Sequence, residues 1–353
     1  MIEKEKIRQA VVSMFKVNMG LKSGERILVA TDAPTADEWS EHDSKRLTDF
    51  IERSLLAKVV SEIAEEEFSD CPTEFFAYPS TGRHGSEPGK EVEEKMKDAD
   101  VIMAITTYSL THTEARQKAT EKGARVASMP AFLVEMLYPG GPMAADYNKI
   151  QKETMKMAEL ITESREAVIT SPAGTEVRFS IEGRNGGIDA GIFIEAGAWG
   201  NLPSGEAYCA PVEGTGEGKL VVEPGWYAGL RENMILIFNN GNVSDVVGGG
   251  EVGDGFRSLL AFDRGDEPYV SRRNLAEFGV GTNPNAKRPD NLLEAEKIKG
   301  TVHLAIGDSS HMGGKVSADL HQDFIIPRPT LVLDGKTIIK DGKMLGFSEQ
   351  IQI

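Results

Sequence analysis

The first half of the chain alternates between strand-like and helix-like spacing of apolar residues. Short apolar runs predict strands at residues 25–30, 74–78, 101–105 and 124–128. Between the first two runs, apolar residues recur every four positions, as one face of a helix requires, at Leu47, Ile51, Leu55, Val59 and Ile63. Strands that alternate with helices at this spacing predict a parallel sheet covered on both faces, closed by a long helix over residues 143–164.

The second half of the chain has a different pattern. Of the 37 glycines, 29 lie beyond residue 165, and the helical periodicity largely disappears. Strand-like runs between Gly, Pro, Asn and Asp turns occur at residues 167–170, 176–181, 219–222, 234–238, 301–306, 330–333 and 337–340. We therefore predict an α/β N-terminal domain with a parallel sheet over residues 1–165. A strand-rich α+β C-terminal domain is predicted over residues 166–353.

Charge and composition exclude several classes of protein. The formal net charge of −16 argues against binding to nucleic acid or to an anionic membrane surface. No run approaches the length of apolar sequence that crosses a bilayer. The charged start, MIEKEK, predicts no signal peptide, and the two distant cysteines, Cys71 and Cys209, indicate a reducing compartment. These features predict a cytoplasmic protein.

Histidines and carboxylates of the second half form a candidate metal site. His321 and Asp323 precede an apolar run, and residues two apart on a strand project to the same face. His303 alternates with Val302, Leu304 and Ile306, so that it faces away from the core these residues predict. An imidazole and a carboxylate on one strand face can reach a single metal ion.

Two glutamates have similar settings. Glu277 lies between small residues in LAEFGVG, where Gly279 and Gly281 leave room beside the carboxylate, and Glu206 follows a turn. Two imidazoles and three carboxylates suit Zn²⁺, Mn²⁺, Co²⁺ or Fe²⁺. Each residue also has an ordinary explanation: Glu277 as an exposed strand charge, Glu206 as the end of a turn, and the nearby His311 as a loop residue.

Five segments of the chain resemble the aminopeptidase T and aminopeptidase S family of metallopeptidases: THTEARQKATEKGARVASMP (111–130), GEAYCAP (205–211), AEFGVGTNP (276–284), HLAIGD (303–308) and HQDFII (321–326). The resemblance implies an α/β domain followed by a strand-rich domain, a homodimer, and a pair of divalent metals in the second domain. It places metal ligands at Glu206, Glu277, His303, His321 and Asp323.

One position departs from the family pattern. The peptidases carry a Tyr ligand seven residues after the His of the HLAIG-like motif, and Ser310 stands there in this chain, next to His311. The chain is also closer in length to the related 2,5-dihydroxypyridine dioxygenase group, which uses one Fe²⁺. A single-metal site of His303, His321 and Asp323 would resemble the triad of two histidines and one carboxylate in non-haem iron oxygenases.

The resemblance predicts a metal-dependent aminopeptidase that releases N-terminal residues from short peptides. One or two ions of Zn, Co or Mn would polarise the scissile carbonyl and activate a water molecule. Glu206 or Glu277 would be the catalytic carboxylate, either holding the substrate α-ammonium group or acting as general base. The alternatives are an Fe²⁺-dependent ring-cleaving dioxygenase and a metal-binding relative without catalytic activity.

Overall fold

A computed structural model describes residues 2–347 of the chain. The helices are α1 (Lys4–Ser13), α2 (Ala36–Glu41), α3 (Ser44–Glu67), α4 (Lys90–Asp98), α5 (Glu114–Glu121), α6 (Tyr147–Glu163), α7 (Gly250–Leu260), α8 (Tyr269–Arg272) and α9 (Leu292–Ala295). One π-helical turn (Met14–Asn18) and three 3₁₀ turns (Val134–Leu137, Pro142–Ala144 and Ser310–Met312) are also present. None of the helices in residues 2–347 is long and apolar enough to cross a membrane.

The strands are short and are concentrated in the second half of the chain. They are β1 (Ile27–Ala33), β2 (Thr73–Pro79), β3 (Val101–Thr106), β4 (Arg125–Pro130), β5 (Glu166–Thr170), β6 (Glu176–Ser180), β7 (Gly187–Asp189), β8 (Trp199–Asn201), β9 (Glu206–Cys209), β10 (Glu217–Val222), β11 (Met234–Asn239), β12 (Asn242–Gly248), β13 (Leu275–Gly281), β14 (Val302–Gly307), β15 (His321–Ile326), β16 (Thr330–Leu333), β17 (Lys336–Lys340) and β18 (Lys343–Met344).

The chain divides into two compact units. The first consists of residues 1–148 and 191–204, and the second of residues 149–190 and 205–353. Residues 1 and 348–353, at the outer ends of the predicted domains, lie outside the described part of the chain. The division differs from the predicted boundary at residue 165, because α6 buries Met157 and Ile161 in the core of the strand-rich unit. Sequence composition changes after this helix, whereas the packing changes before it.

The first unit is an α/β domain, as the sequence predicts. Its five strands are all parallel and have the order β2-β1-β3-β4-β8. The strands β1, β3 and β4 are almost entirely buried, which agrees with their continuous apolar runs. The edge strand β8 comes from residues 191–204, which return to this unit after the chain has entered the second one.

The second unit is the predicted strand-rich domain and consists of two antiparallel sheets. One has eight strands in the order β12-β11-β10-β6-β5-β16-β17-β18, and the other has five in the order β15-β14-β13-β9-β7. A single apolar core contains side chains of both sheets. Within it, the rings of Phe179 on β6 and Phe278 on β13 pack edge to face with centroids 5.4 Å apart. One face of the five-stranded sheet therefore packs in the core, and its other face remains available for a functional site.

The Gly248-Gly249-Gly250 run introduces a helix that the sequence pattern does not predict. All three glycines have positive φ, and Gly249 stands at the N-cap of α7. This left-handed turn returns the chain sharply, so that Phe256 and Leu260 of α7 enter the core. Its backbone conformation strongly favours glycine. The run is thus a turn whose backbone conformation depends on glycine.

Candidate metal centre

The five-stranded sheet has one apolar face and one face that carries the candidate ligands. The apolar face supplies the core through Phe278 and Val280 of β13 and through their counterparts Ala207, Cys209, Val302, Leu304, Ile306, Phe324 and Ile326. Residues at the alternate positions belong to the opposite face. They include all five predicted ligands: Glu206, Glu277, His303, His321 and Asp323. The alternation read from the sequence therefore brings these residues together.

Three of the five residues come close enough to hold one ion. Asp323 of β15 and Glu277 of β13 are both paired with Ala305 of the intervening strand, whose methyl side chain leaves space between them. His321 Nε2 lies 3.0 Å from Glu277 Oε2 and 3.6 Å from Asp323 Oδ1. One ligand atom from each residue lies within 4.8 Å of the other two. No other group of this kind is found in residues 2–347.

A β-bulge directs Glu277 to this face. Leu275 pairs with Ile306, whereas Glu277 pairs with Ala305, so that β13 carries one extra residue, Ala276, at this point. As a result, Leu275 and Phe278 both enter the core although they are three positions apart. Bulges are frequent beside active sites, where they change the direction of a side chain.

His303 lies beside the three-residue cluster and is paired with Gly279 of the neighbouring strand β13. It is 1% exposed, and its Nε2 atom is 3.4 Å from both Glu277 Oε1 and Glu206 Oε2. A Cβ atom on Gly279 would lie 2.0 Å from His303 Nε2. Gly279 therefore makes room for the imidazole ring of His303, and not for the Glu277 carboxylate as the sequence suggested.

Glu206 is bound to a residue that the sequence pattern did not identify. Its Oε1 atom accepts a hydrogen bond of 2.5 Å from Lys297 Nζ. The same ammonium group is 3.4 Å from Asp189 Oδ2 and 3.3 Å from Glu296 Oε2. Lys297 is separated from Glu206 by 91 residues. In sequence, Glu296-Lys297 resembles an ordinary charged surface pair, so only the tertiary structure reveals this group.

Tyr208 is a second residue missed from the sequence. It lies two positions after Glu206 on β9, so strand alternation places it on the same face, and this signal was available. Its ring packs against Gly187, where a Cβ atom would come within 2.5 Å of it. Burial and the nearby carboxylates, Asp189 first among them, raise the pKa of Tyr208 to about 12. At neutral pH its hydroxyl is therefore protonated and able to donate a hydrogen bond.

The carboxylates control the charge of both histidines. Burial alone would lower the pKa of His321, but Asp323 and Glu277 outweigh burial and raise it to about 12. The pKa of His303 rises to about 9, because Glu277 and Glu206 likewise outweigh burial. The two imidazoles in turn hold the pKa of Glu277 far below its ordinary value, although burial acts in the opposite direction. Each imidazole therefore favours the charged form of the carboxylate beside it, and each carboxylate favours the charged form of the imidazole.

Ser310, which stands at the expected Tyr position, is bound within its own loop. Its hydroxyl donates a hydrogen bond of 2.8 Å to Asp308 Oδ1 in the 3₁₀ turn. His311 Nδ1 lies 2.6 Å from the other oxygen of the same carboxylate, and its ring centroid is 5.2 Å from that of His321. Neither residue belongs to the cluster of Glu277, His321 and Asp323.

The residues present fit a divalent metal ion. One imidazole and two carboxylates offer nitrogen and oxygen donors of the kind that bind Fe²⁺, Mn²⁺ and Zn²⁺. Two buried polar atoms at this face, Glu206 Oε2 and His303 Nδ1, have no hydrogen-bond partner among the described residues. Buried groups of this type are ordinarily satisfied by protein, water or an ion.

Most of the sequence of both units matches a family of dioxygenases. Residues 17–346 match the model of NicX, described as 2,5-dihydroxypyridine 5,6-dioxygenase. The chain belongs to this NicX family. The 2,5-dihydroxypyridine 5,6-dioxygenase of Pseudomonas putida KT2440 is 22% identical to it over 271 residues, which cover 72% of this chain and 73% of the relative.

Two solved structures have the same fold as this NicX-family chain. The 2,5-dihydroxypyridine dioxygenase from Pseudomonas putida KT2440 matches it with a TM-score of 0.70 and 16% identity, over 98% of this chain and 99% of the other. AmpT from Thermus thermophilus matches it with a TM-score of 0.62 and 15% identity, over 97% of this chain and 99% of the other. At these identities the likeness is one of fold.

The prediction of a metallo-aminopeptidase, and with it the hydrolase and protease class, is wrong. The NicX-family match and the similarity to a dioxygenase of Pseudomonas putida overturn it. The segments that suggested a peptidase position the strands of a fold that AmpT shares. Such segments identify the fold without identifying the reaction. Without a peptidase reaction, there is no longer a reason to expect Glu206 or Glu277 to hold the α-ammonium group of a peptide substrate. The five ligand positions remain predictions.

Proposed function

We propose that this chain is an Fe²⁺-dependent dioxygenase that opens a hydroxylated pyridine ring. The supporting observation is the cluster of Glu277, His321 and Asp323 in a chain that belongs to the NicX family. All three residues lie on rigid strands of the five-stranded sheet, on the face opposite the core. A site on paired strands holds its ligands more precisely than a site on loops.

The proposed ligand set differs from the triad of His303, His321 and Asp323 that the dioxygenase alternative implied. His321 and Asp323 remain, and Glu277 takes the third place, because its carboxylate contacts His321 directly and His303 lies outside the cluster. A bound Fe²⁺ would supply the one-electron chemistry that dioxygen needs in order to react with an aromatic ring. The protein would supply binding, orientation and hydrogen bonding.

The neighbouring residues have separate roles in this proposal. His303 Nε2, 3.4 Å from Glu277 Oε1, orients the carboxylate from the side away from His321. The protonated hydroxyl of Tyr208 would donate a hydrogen bond to a ring oxygen or nitrogen of the substrate. These groups bind and orient the substrate and the metal-binding carboxylate.

The test of the proposed function is oxygen consumption with 2,5-dihydroxypyridine. Protein purified without oxygen and loaded with Fe²⁺ should consume one dioxygen for each ring opened, with loss of the aromatic absorbance. The same protein loaded with Zn²⁺ is the control and should consume none, because Zn²⁺ has no redox chemistry. Full Fe²⁺ occupancy without oxygen consumption would instead support the metal-binding relative without catalytic activity.

The homodimer implied by the sequence resemblance remains a prediction. Static light scattering of the purified protein should give twice the 38.4 kDa mass of one chain at micromolar concentration. A mass of one chain across the concentration range would contradict it. The proposed dioxygenase activity does not depend on the outcome, because the three proposed ligands come from one chain.

A further inference from the structure

Lys297 is a buried ammonium group surrounded by carboxylates. Its side chain is 3% exposed, and its Nζ atom lies within 3.4 Å of carboxylate oxygens of Glu206, Asp189 and Glu296. Removing a lysine from water is costly unless opposite charges compensate for it. Three carboxylates around one ammonium group are more than a simple ion pair requires. The arrangement resembles the environment of a bound cation.

The backbone around Lys297 is built to bring it to this point. A Cβ atom on Gly281 would lie 2.2 Å from the carbonyl oxygen of Ile298, so only glycine permits this close approach. Asn283 N–H donates a hydrogen bond of 2.8 Å to the carbonyl of Lys297. Gly281 is also the strand partner of Glu206. The segment that carries Lys297 is therefore fixed against the end of β13, beside Glu206.

Glu206 connects the ammonium group to the proposed metal cluster. Its Oε1 atom contacts Lys297, and its Oε2 atom is 3.4 Å from His303 Nε2. The same His303 atom is 3.4 Å from Glu277 Oε1, and the other oxygen of Glu277 contacts His321. The carboxylates of this face thus form two groups, one around Lys297 and one around His321. Each group has its own source of positive charge.

We propose that the ammonium group of Lys297 occupies the place of a second metal ion and limits this site to one divalent ion. An ammonium group and a divalent ion compete for the same carboxylate oxygens, and both cannot contact Glu206 Oε1 at 2.5 Å. The charge of Lys297 also repels a second cation from Glu206, Asp189 and Glu296. This inference rests on the metal site of the proposed function, but it does not depend on the reaction catalysed there.

The test counts the metal ions bound by the full chain, with Mn²⁺ as the probe. Wild-type protein should bind one Mn²⁺ per chain, and Lys297→Met, which is unbranched and one atom shorter and carries no charge, should bind two. Electron paramagnetic resonance gives an independent readout, because two neighbouring Mn²⁺ ions couple magnetically and change the spectrum of the isolated ion. The matched control is Lys299→Met, two residues away, whose ammonium group pairs with Glu153 and should not affect the count.

Several results would overturn the inference. Two ions in the wild-type protein, or one ion in a folded Lys297→Met variant, would show that Lys297 does not restrict the count. A Lys297→Met variant that stays unfolded even with excess Mn²⁺ would also contradict it, because a second ion should replace the lost charge. If the wild-type protein binds no Mn²⁺, the proposed metal site is wrong and the inference about Lys297 fails with it. If the wild-type protein binds one ion and the Lys297→Met variant binds two, but no oxygen is consumed, the inference about Lys297 is supported and the proposed dioxygenase activity is wrong.

Discussion

Asp323→Asn should strongly weaken metal binding and abolish oxygen consumption. Asparagine keeps the size of the side chain but removes the negative charge, and Asp323 is one of only two carboxylates in the cluster. Substitution of residues that merely support a ligand typically costs about 10- to 100-fold in metal affinity. Loss of a ligand itself should therefore reduce Fe²⁺ affinity by about 100-fold or more. Elemental analysis after anaerobic loading, together with an oxygen electrode, measures both effects.

A second aspartate serves as the control for this variant. Asp245 lies on β12 of the same unit, is exposed, and is outside the cluster, so Asp245→Asn should retain full iron and full activity. Circular dichroism should show the same secondary structure for both variants, because the buried apolar face of β15 is unchanged. If Asp323→Asn keeps its iron, Asp323 has only a structural role and the proposed site is wrong.

Gly279→Ala should destabilise the second unit and disturb the site at the same time. The added Cβ atom would lie 2.0 Å from Nε2 of the buried His303 ring. The ring cannot move easily, because Glu206 and Glu277 both contact it. Overpacking of this kind typically costs about 1–3 kcal/mol in the free energy of unfolding. Chemical denaturation of the metal-free protein should show the loss directly.

Gly255→Ala is the matched control for the clash. Gly255 lies in α7 of the same unit, and no heavy atom lies within 4 Å of the Cβ position there. Alanine in a helix should stabilise the protein by about 0.5–1 kcal/mol. Equal stability of the two variants would mean that His303 does not need the space at Gly279. The opposite signs expected for the same substitution make the comparison sensitive.

The sequence contains most of the fold and most of the ligand face. Alternation along β13, β14 and β15 is local, so Val302, Leu304 and Ile306 identify the core face, and the position of His303 follows. The two kinds of sheet also follow from local patterns. Apolar runs that alternate with helices predict a parallel sheet, and apolar runs separated by turns predict antiparallel sheets. The domain boundary was harder to predict from the sequence. The amphipathic pattern of α6 would fit either unit, and only its packing partners show to which unit it belongs.

Contacts between distant segments could not be predicted in the same way. Lys297 reaches Glu206 across 91 residues, and neither its own neighbours nor its spacing indicates burial. The space beside Gly279 was recognised from the sequence, but its occupant, His303, follows from strand register. The reaction was inaccessible for a further reason: ligand types and strand patterns that suit a peptidase also suit an oxygenase.

The bulge at Ala276 has a consequence for how this chain is aligned with its relatives. If β13 and β14 paired regularly after Leu275 and Ile306, Glu277 would lie opposite Leu304 and point into the apolar core. Deletion of Ala276 would instead remove the bulge and leave Glu277 opposite Ala305, because Leu275, Glu277 and Phe278 would then alternate regularly. Relatives can therefore lack the bulge residue and still carry a carboxylate on the ligand face. Alignments that permit no gap here would pair residues of opposite faces.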